Sequence, residues 1–201
     1  MKDIKIETKR LILRKFEKQD TEKCYMGYGR DRELGRYLPM YPMKSKEEMG
    51  VLIDGFISAY KNEAFIWLIE EKISKQPIGS ICVDVPYKDL NIGEISYLLG
   101  TKYQRKGYAL EAVDAVVDYM LNDQKLYMLE AKYNKENTAS GKLLAKLNFV
   151  QDGELRDRRV NLMTHVRCNL IICSLKKNEY SSKFKMMGEY DEYKNTKTYN
   201  S

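Results

Sequence analysis

The residues whose types and spacing could do chemistry lie in one stretch, Glu94 to Leu121. Glu94-Ile-Ser-Tyr-Leu-Leu-Gly100 reads as a buried strand. Gln104-Arg105-Lys106-Gly107-Tyr108-Ala109 reads as a basic turn with glycine at its tip, and the residues to Leu121 as an amphipathic helix. Ala109, Ala112, Val113, Val116, Val117, Met120 and Leu121 share one helical face, and Glu111, Asp114 and Asp118 the other. The first backbone N–H groups of such a helix have no intrahelical partner, and the helix dipole places partial positive charge there. Gly107 permits a positive φ or a close approach of the backbone, while Arg105 and Lys106 add charge. The turn is therefore a candidate phosphate site, although an ordinary strand-to-helix turn would need no ligand.

Other chemistries lack their residues. No G-x-x-x-x-G-K-[ST] or G-x-G-x-x-G occurs, so nucleotide hydrolysis and hydride transfer have no support. Cys24, Cys82, Cys168 and Cys173 show no CxxC spacing, and with the single histidine, His165, they make no zinc set. Reduced thiols, a structural histidine in the last strand region and no metal are the expectations.

These residues need a frame to position them. A chain of 201 residues fits one domain, the soft prior being about 150 residues per domain. With 43% hydrophobic and 32% charged residues it has the makings of an ordinary globular core. No apolar run approaches the ~20 residues of a membrane span. The N-terminal Met-Lys-Asp-Ile-Lys-Ile-Glu lacks a secretory apolar stretch, so a cytoplasmic location without membrane contact is expected. The net charge of +6 permits attraction to phosphate, but the 35 basic residues are scattered, and nucleic-acid binding is not indicated.

Along the chain, Leu11, Ile12 and Leu13 mark a first strand, and Asp20-Thr21 a helix start followed by two weakening glycines, Gly27 and Gly29. Pro39 and Pro42 end what precedes them. Ser45 opens a second helix with Met49, Leu52, Ile53, Phe56, Ile57 and Tyr60 at i, i+3, i+4 spacing. Phe65–Ile69 and Ile78–Val85 read as a hairpin, and Leu126–Tyr133 as a later strand. Asn137–Leu147 reads as a helix with Ala139, Leu143, Leu144 and Leu147 inward. Phe149-Val150 begins a strand, Asp152-Gly153 signals a turn, and Val160–Leu175 is one long or bulged strand. The domain is expected over residues 1–176, with 177–201 a polar extension of little structure.

Gln104 to Ala109 resembles the pyrophosphate-binding signature Q/R-x-x-G-x-G/A of the GNAT superfamily of N-acetyltransferases, with alanine at the last position. A longer resemblance, over roughly residues 4–175, is to the Rim-type branch of that superfamily. It is carried in order by Glu7-Thr-Lys-Arg-Leu-Ile-Leu-Arg14, Pro77-Ile-Gly-Ser80, Gly93-Glu-Ile-Ser-Tyr-Leu-Leu99, the basic turn, Glu130 to Ser140, and Lys142 to Phe149. That branch acetylates the N-terminal amines of ribosomal proteins and other amines. The resemblance implies a mixed α/β (α+β) fold with a central, mainly antiparallel sheet of six or seven strands and helices on both sides. It implies acetyl-CoA as co-substrate, an amine acceptor with a ribosomal protein among the candidates, and a monomer or homodimer. A polyamine or antibiotic acetyltransferase on the same fold, or a non-catalytic acyl-CoA-binding module, are the alternatives.

Carried residue by residue, the resemblance implies that Leu98 and Leu99 offer backbone groups to the pantetheine arm and that Gln104 to Ala109 hold the pyrophosphate. It places Asn134, Asn137 and Lys142 near the remainder of coenzyme A, though a plain helix N-cap fits Asn137 as well. Many relatives carry a tyrosine five residues before Phe149 as acid to the departing thiolate, where this chain has Leu144. Ser140, on the same helix, resembles the serine of Rim-type enzymes and could serve the sulfur instead, or be a first-turn helix serine. Glu94 is the candidate base: alternation puts Glu94, Ser96 and Leu98 on one strand face and Ile95, Tyr97 and Leu99 on the other. A solvated or ion-paired glutamate is its bland alternative. No nucleophilic cysteine motif favours a covalent acyl-enzyme route.

Overall fold

A computed structural model describes residues 4–38 and 42–182. Pro39, within the expected proline break, and residues 183–201 of the expected extension lie outside them.

Eight strands make one sheet: β1 (Ile6–Glu7), β2 (Leu11–Arg14), β3 (Phe65–Glu71), β4 (Gln76–Tyr87), β5 (Ile92–Leu99), β6 (Met128–Asn134), β7 (Val150–Val160) and β8 (Arg167–Lys176). Their order is β1-β2-β3-β4-β5-β6-β8-β7. Every neighbouring pair is antiparallel except β5 and β6, whose parallel pairing needs the crossover helix α3 (Tyr108–Asp118). The mixed α/β, mainly antiparallel architecture agrees with expectation, with eight strands rather than six or seven. The added strand is β1, and the two ends of the sheet differ in detail from the expectation. Residues 6–14 double back as a small hairpin, and the stretch read as one strand from Val160 holds the end of β7, a turn built on Asn161, and β8. The Asn161 carboxamide oxygen accepts from the N–H groups of Met163 and Thr164, an Asx-type turn, and His165 sits in that turn at φ 57° rather than in a strand. Asp152-Gly153 makes no turn. It falls within β7 at a register shift between Gln151 and Gly153, a bulge.

Helices cover both faces. Phe65 and Trp67, on one face of β3, meet the ring of Tyr119 just beyond α3. Tyr97 of β5 reaches α4 (Thr138–Lys146) on that same side. Against the opposite face lie α1 (Thr21–Cys24), which widens through Tyr25–Gly29, and α2 (Lys46–Ala59), capped by Ser45 as expected. Gly27 and Gly29 do not end α1. They let it approach its neighbours, since a Cβ at Gly27 would stand 2.6 Å from the Pro77 carbonyl oxygen and one at Gly29 2.3 Å from the Met49 methyl. Trp67, Ile69, Ile81, Ile95, Val113, Val116, Val117 and Leu129 are buried between the sheet and α3.

Two helical expectations are corrected. Glu111 and Asp114 are 2% and 0% exposed, not on a solvent-facing side, because polar partners from elsewhere in the chain meet them. Ser182 Oγ donates to Asp114 Oδ2 at 2.8 Å and the Tyr180 hydroxyl to Oδ1 at 3.1 Å, so the segment following β8 is pinned across α3. Ala139 is exposed, whereas Leu144 and Leu147 of the same helix are buried.

Candidate active site

The site is shaped by where β5 and β6 stop pairing. They are in register only from Ile92, Gly93 and Glu94 to Met128, Leu129 and Glu130. Beyond, β5 stays bonded to β4 out to Leu99 and β6 to β8 out to Asn134, so the two strands part and a wedge opens between them. The basic turn closes one flank of the wedge and the start of α4 the other.

After β5 the chain turns through Thr101–Tyr103, and Gln104 Nε2 donates to the Leu99 carbonyl at 2.9 Å, folding the turn back on the strand end. Arg105 and Gly107 are left-handed, with φ of 61° and 81°. The helix then starts at Tyr108 with no side-chain cap, so its first N–H groups face the turn without one. Arg105 and Lys106 are exposed, and Tyr108 and Ala109 half-buried. An exposed glycine with positive φ, a left-handed neighbour and a helix N-terminus form the concave N–H arrangement that suits an anion. Gly107 is favoured by its positive φ, and a Cβ there would also stand 3.2 Å from an Arg10 nitrogen, a tight contact.

Across the wedge, the Tyr97 hydroxyl and Ser140 Oγ lie 2.7 Å apart, joining β5 to the first turn of α4. Tyr133 of β6 packs its hydroxyl against the same turn, where a Cβ at Gly141 would be 2.7 Å from it. Burial pushes the Tyr97 phenol well above its ordinary pKa, with the Ser140 hydrogen bond opposing, and pushes Tyr133 up as well. Asn137 caps α4, its side chain accepting from Ser140 N–H at 3.3 Å, and Asn134 Oδ1 accepts from Glu136 N–H at 2.9 Å. Both asparagines thus shape the backbone at the wedge mouth, and Lys142 is exposed one turn further on. Leu99 is buried and Leu98 half-buried. Gly79 lies so close that its Cβ would be 2.2 Å from the Leu98 carbonyl oxygen, which fixes that peptide. Leu144, where many relatives would carry the tyrosine, is 2% exposed in the core.

On the other strand face, Lys132 Nζ meets Glu94 Oε2 at 2.5 Å, with the two side chains 27% and 35% exposed. The ion-paired alternative for Glu94 is therefore the observed arrangement, and its carboxylate remains within reach of solvent. Asp84 and Glu130 are the register neighbours of Glu94, giving three carboxylates abreast and one facing ammonium. Burial pushes the thiols of Cys24, Cys82 and Cys173 up to about 12, keeping them protonated and poor nucleophiles. Among the described residues no group of three or more His, Cys, Asp or Glu could hold a metal ion, and no helix is long and apolar enough to cross a membrane.

Sequence reasoning missed Lys132, Thr8 and Arg10. Thr8 Oγ1, Arg10 N–H and Arg10 Nε all donate to the Glu111 carboxylate, at 2.6, 2.8 and 2.6 Å. The one available signal was Glu111 itself, an acid in the first turn of a helix whose N-terminus is otherwise basic.

Residues 10–150 match the acetyltransferase (GNAT) domain family. The chain is 33% identical over 152 residues to the uncharacterized N-acetyltransferase YoaA of Bacillus subtilis, covering 75% of this chain and 85% of that one. It is 27% identical over 162 residues to the [ribosomal protein uS5]-alanine N-acetyltransferase of Escherichia coli, covering 77% and 82%. The crystal structure of the ribosomal-protein-S5-alanine acetyltransferase from Vibrio fischeri superimposes with a TM-score of 0.78 at 23% identity, over 89% of this chain and 100% of that one, and shares the fold. With the family matched over most of its length, and the glycine turn and strand wedge in place, this chain belongs to the GNAT family of N-acetyltransferases.

Proposed function

We propose that the chain moves an acetyl group from acetyl-CoA to a primary amine by direct attack, with the N-terminal amine of a protein or peptide as the first candidate acceptor and a small-molecule amine as the second. The observation that carries this reading is the wedge between β5 and β6, flanked by the open N–H groups at Gly107–Ala109. Members of the family draw their acetyl group from acetyl-CoA. The residues present suit that molecule: an exposed glycine of positive φ at a helix start, two exposed cations beside it, and at Leu99 the stretch of β5 that has parted from β6. When bound, acetyl-CoA supplies an activated thioester.

The chain's own groups then have separable tasks. Gln104 to Ala109 bind the diphosphate through backbone N–H groups and the charges of Arg105 and Lys106. A backbone N–H near Leu98–Leu99 polarises the thioester oxygen. Ser140 offers a hydroxyl to the departing sulfur. Tyr97, hydrogen-bonded to it and holding its own proton through burial, orients that hydroxyl and can return a proton to it. This pair stands in for the tyrosine that Leu144 replaces. Asn134, Asn137 and Lys142 border the mouth through which the rest of the cofactor would leave.

Glu94, directly or through a water, accepts the proton of the attacking amine. An α-amine of pKa near 8 is roughly one-tenth neutral at pH 7, against about one part in 2,500 for a lysine-type amine. A base is thus needed less by an N-terminal acceptor, which suits a carboxylate already engaged by Lys132. The carboxylates of Asp84, Glu94 and Glu130 favour a cationic acceptor over an anionic one. The relative acting on ribosomal protein uS5 supports a protein terminus as the first acceptor to try. The test is a panel of peptide termini, polyamines and aminoglycosides assayed with acetyl-CoA. Turnover confined to peptide termini supports the reading, turnover on polyamines or antibiotics alone replaces the acceptor, and tight acetyl-CoA binding without turnover on any amine would refute catalysis.

A further inference from the structure

We infer that Arg10 is a positioning residue of the anion-binding turn, acting through Glu111 from a segment about a hundred residues away; the inference rests on the reading of that turn as a coenzyme A site. Glu111 lies in the first turn of α3, 2% exposed. Its carboxylate receives three hydrogen bonds from residues 8–10: Thr8 Oγ1 at 2.6 Å, Arg10 N–H at 2.8 Å and Arg10 Nε at 2.6 Å. A buried carboxylate held by this many donors is a fixed point, and it ties the turn between β1 and β2 to the start of α3.

The rest of the Arg10 guanidinium spreads over the anion turn itself. Its Nη1 donates to the Lys106 carbonyl at 2.9 Å. Its plane lies over the Tyr108 ring, 4.6 Å from the ring centre. Its Nη2 stands 3.2 Å from where a Gly107 Cβ would be. One side chain therefore contacts Lys106 and Tyr108 and passes beside Gly107 between them.

Two consequences follow. Glu111 neutralises Arg10 at 2.6 Å, so the guanidinium is ill suited to serve as a phosphate-pairing cation. What it delivers is shape. The left-handed backbone of Arg105 is one that a residue with a side chain holds only where its surroundings impose it. A Lys106 carbonyl fixed on Arg10 also cannot rotate into the concave N–H surface, where its negative end would repel an anion. Lysine in place of Arg10 could keep the ion pair but not the fork that holds Glu111 and Lys106 together.

The test compares wild type, Arg10→Met and Arg10→Lys in the full chain. Calorimetry measures affinity for coenzyme A and for pantetheine, which lacks the diphosphate. Hydrogen exchange follows the amides of residues 104–110 without ligand, and thermal melts establish that each variant is folded. Both variants should bind coenzyme A about tenfold more weakly, within the range of coupling between a binding site and a residue that shapes it, with pantetheine affinity unchanged and exchange accelerated at 104–110. Wild-type coenzyme A affinity in both variants, or an equal loss for both ligands, would overturn the role assigned to Arg10. Failure of wild type to bind coenzyme A would instead sink the reading of the site; hydrogen exchange then decides alone, and unaltered exchange at 104–110 overturns the role of Arg10.

Discussion

Tyr97 and Ser140 meet at 2.7 Å across the wedge, and Tyr97→Phe removes that contact while keeping the ring. A neutral hydrogen bond of this kind is worth about 0.5–1.5 kcal/mol net, which for a chain of this size is a fall in Tm of roughly 2–4 °C per kcal/mol. The kinetic effect should differ in kind. A hydroxyl that serves a departing sulfur acts only in the transition state, so its loss lowers kcat and kcat/KM together and leaves KM alone. We expect a fall of about 10²-fold for Ser140→Ala, at the low end for a positioned proton donor, and about tenfold for Tyr97→Phe. The pair acts as a unit, so the double variant should be no worse than Ser140→Ala by more than about twofold, a coupling of about 1 kcal/mol. Burial keeps Tyr97 protonated beyond the ordinary phenol range, so neither variant should move a limb of the pH–rate profile below about pH 10. The assay is steady-state thiol release with the best amine from the panel. Strictly additive losses, or a Ser140→Ala enzyme of wild-type kcat, would refute the relay.

Glu94→Gln should lower turnover of lysine-like amines more than of α-amines and flatten the rise of rate with pH; an unchanged profile for both would remove Glu94 from the mechanism. Ser182→Ala takes one donor from the fully buried Asp114 carboxylate, with an expected cost of about 1.5–3 kcal/mol in thermal unfolding and no change in kcat, and a wild-type melting curve would show that the segment is not pinned as described. Alkaline stability follows from the thiols and Tyr60, all pushed up to about 12. Unfolded thiols ionise near about 8.5 and phenols near about 10, so the folded state holds protons the unfolded chain has lost, and stability is full below about pH 8 and falls as pH rises towards 12. Melts from pH 7 to 11 should decline, less steeply in Cys82→Ala, and a flat series would contradict the assigned burial.

The elements were legible wherever one periodicity dominated. The β3–β4 hairpin, the capped α2 and the apolar stripe of α3 each follow from residues close in sequence, because backbone geometry repeats over a few positions. The same reasoning failed at Glu111 and Asp114. A helical wheel places an acid on the solvent side unless something distant meets it, and their partners, Thr8 and Arg10 for one, Tyr180 and Ser182 for the other, lie 66 or more residues away. His165 was misplaced for a local reason: Asn161 closes a turn with its side chain, which hydrophobic patterning does not register.

The candidate site divides in the same way. Its anion turn is contiguous and readable, since Gly107 and the cations beside it are neighbours in sequence. The wedge is not, because it depends on how far a parallel pair extends. Gly93 shows the physical limit. A Cβ there would stand 2.8 Å from Leu126 Cδ1, 3.0 Å from Val83 Cγ1 and 3.1 Å from Leu129 Cδ2, so only glycine fits the core side chains packed over the paired stretch, which runs from Ile92 to Glu94. Past Glu94, β5 follows β4 and β6 follows β8, each held by a longer antiparallel ladder. Those ladders hold β5 and β6 apart along the wedge, where neither strand pairs with the other. Strand edges that lack a neighbour bind extended partners, and in the function proposed above a pantetheine arm, with amides along its length, would be that partner. The strand parting that a sequence pattern cannot show is thus what the proposed function adds to an anion site at a helix start.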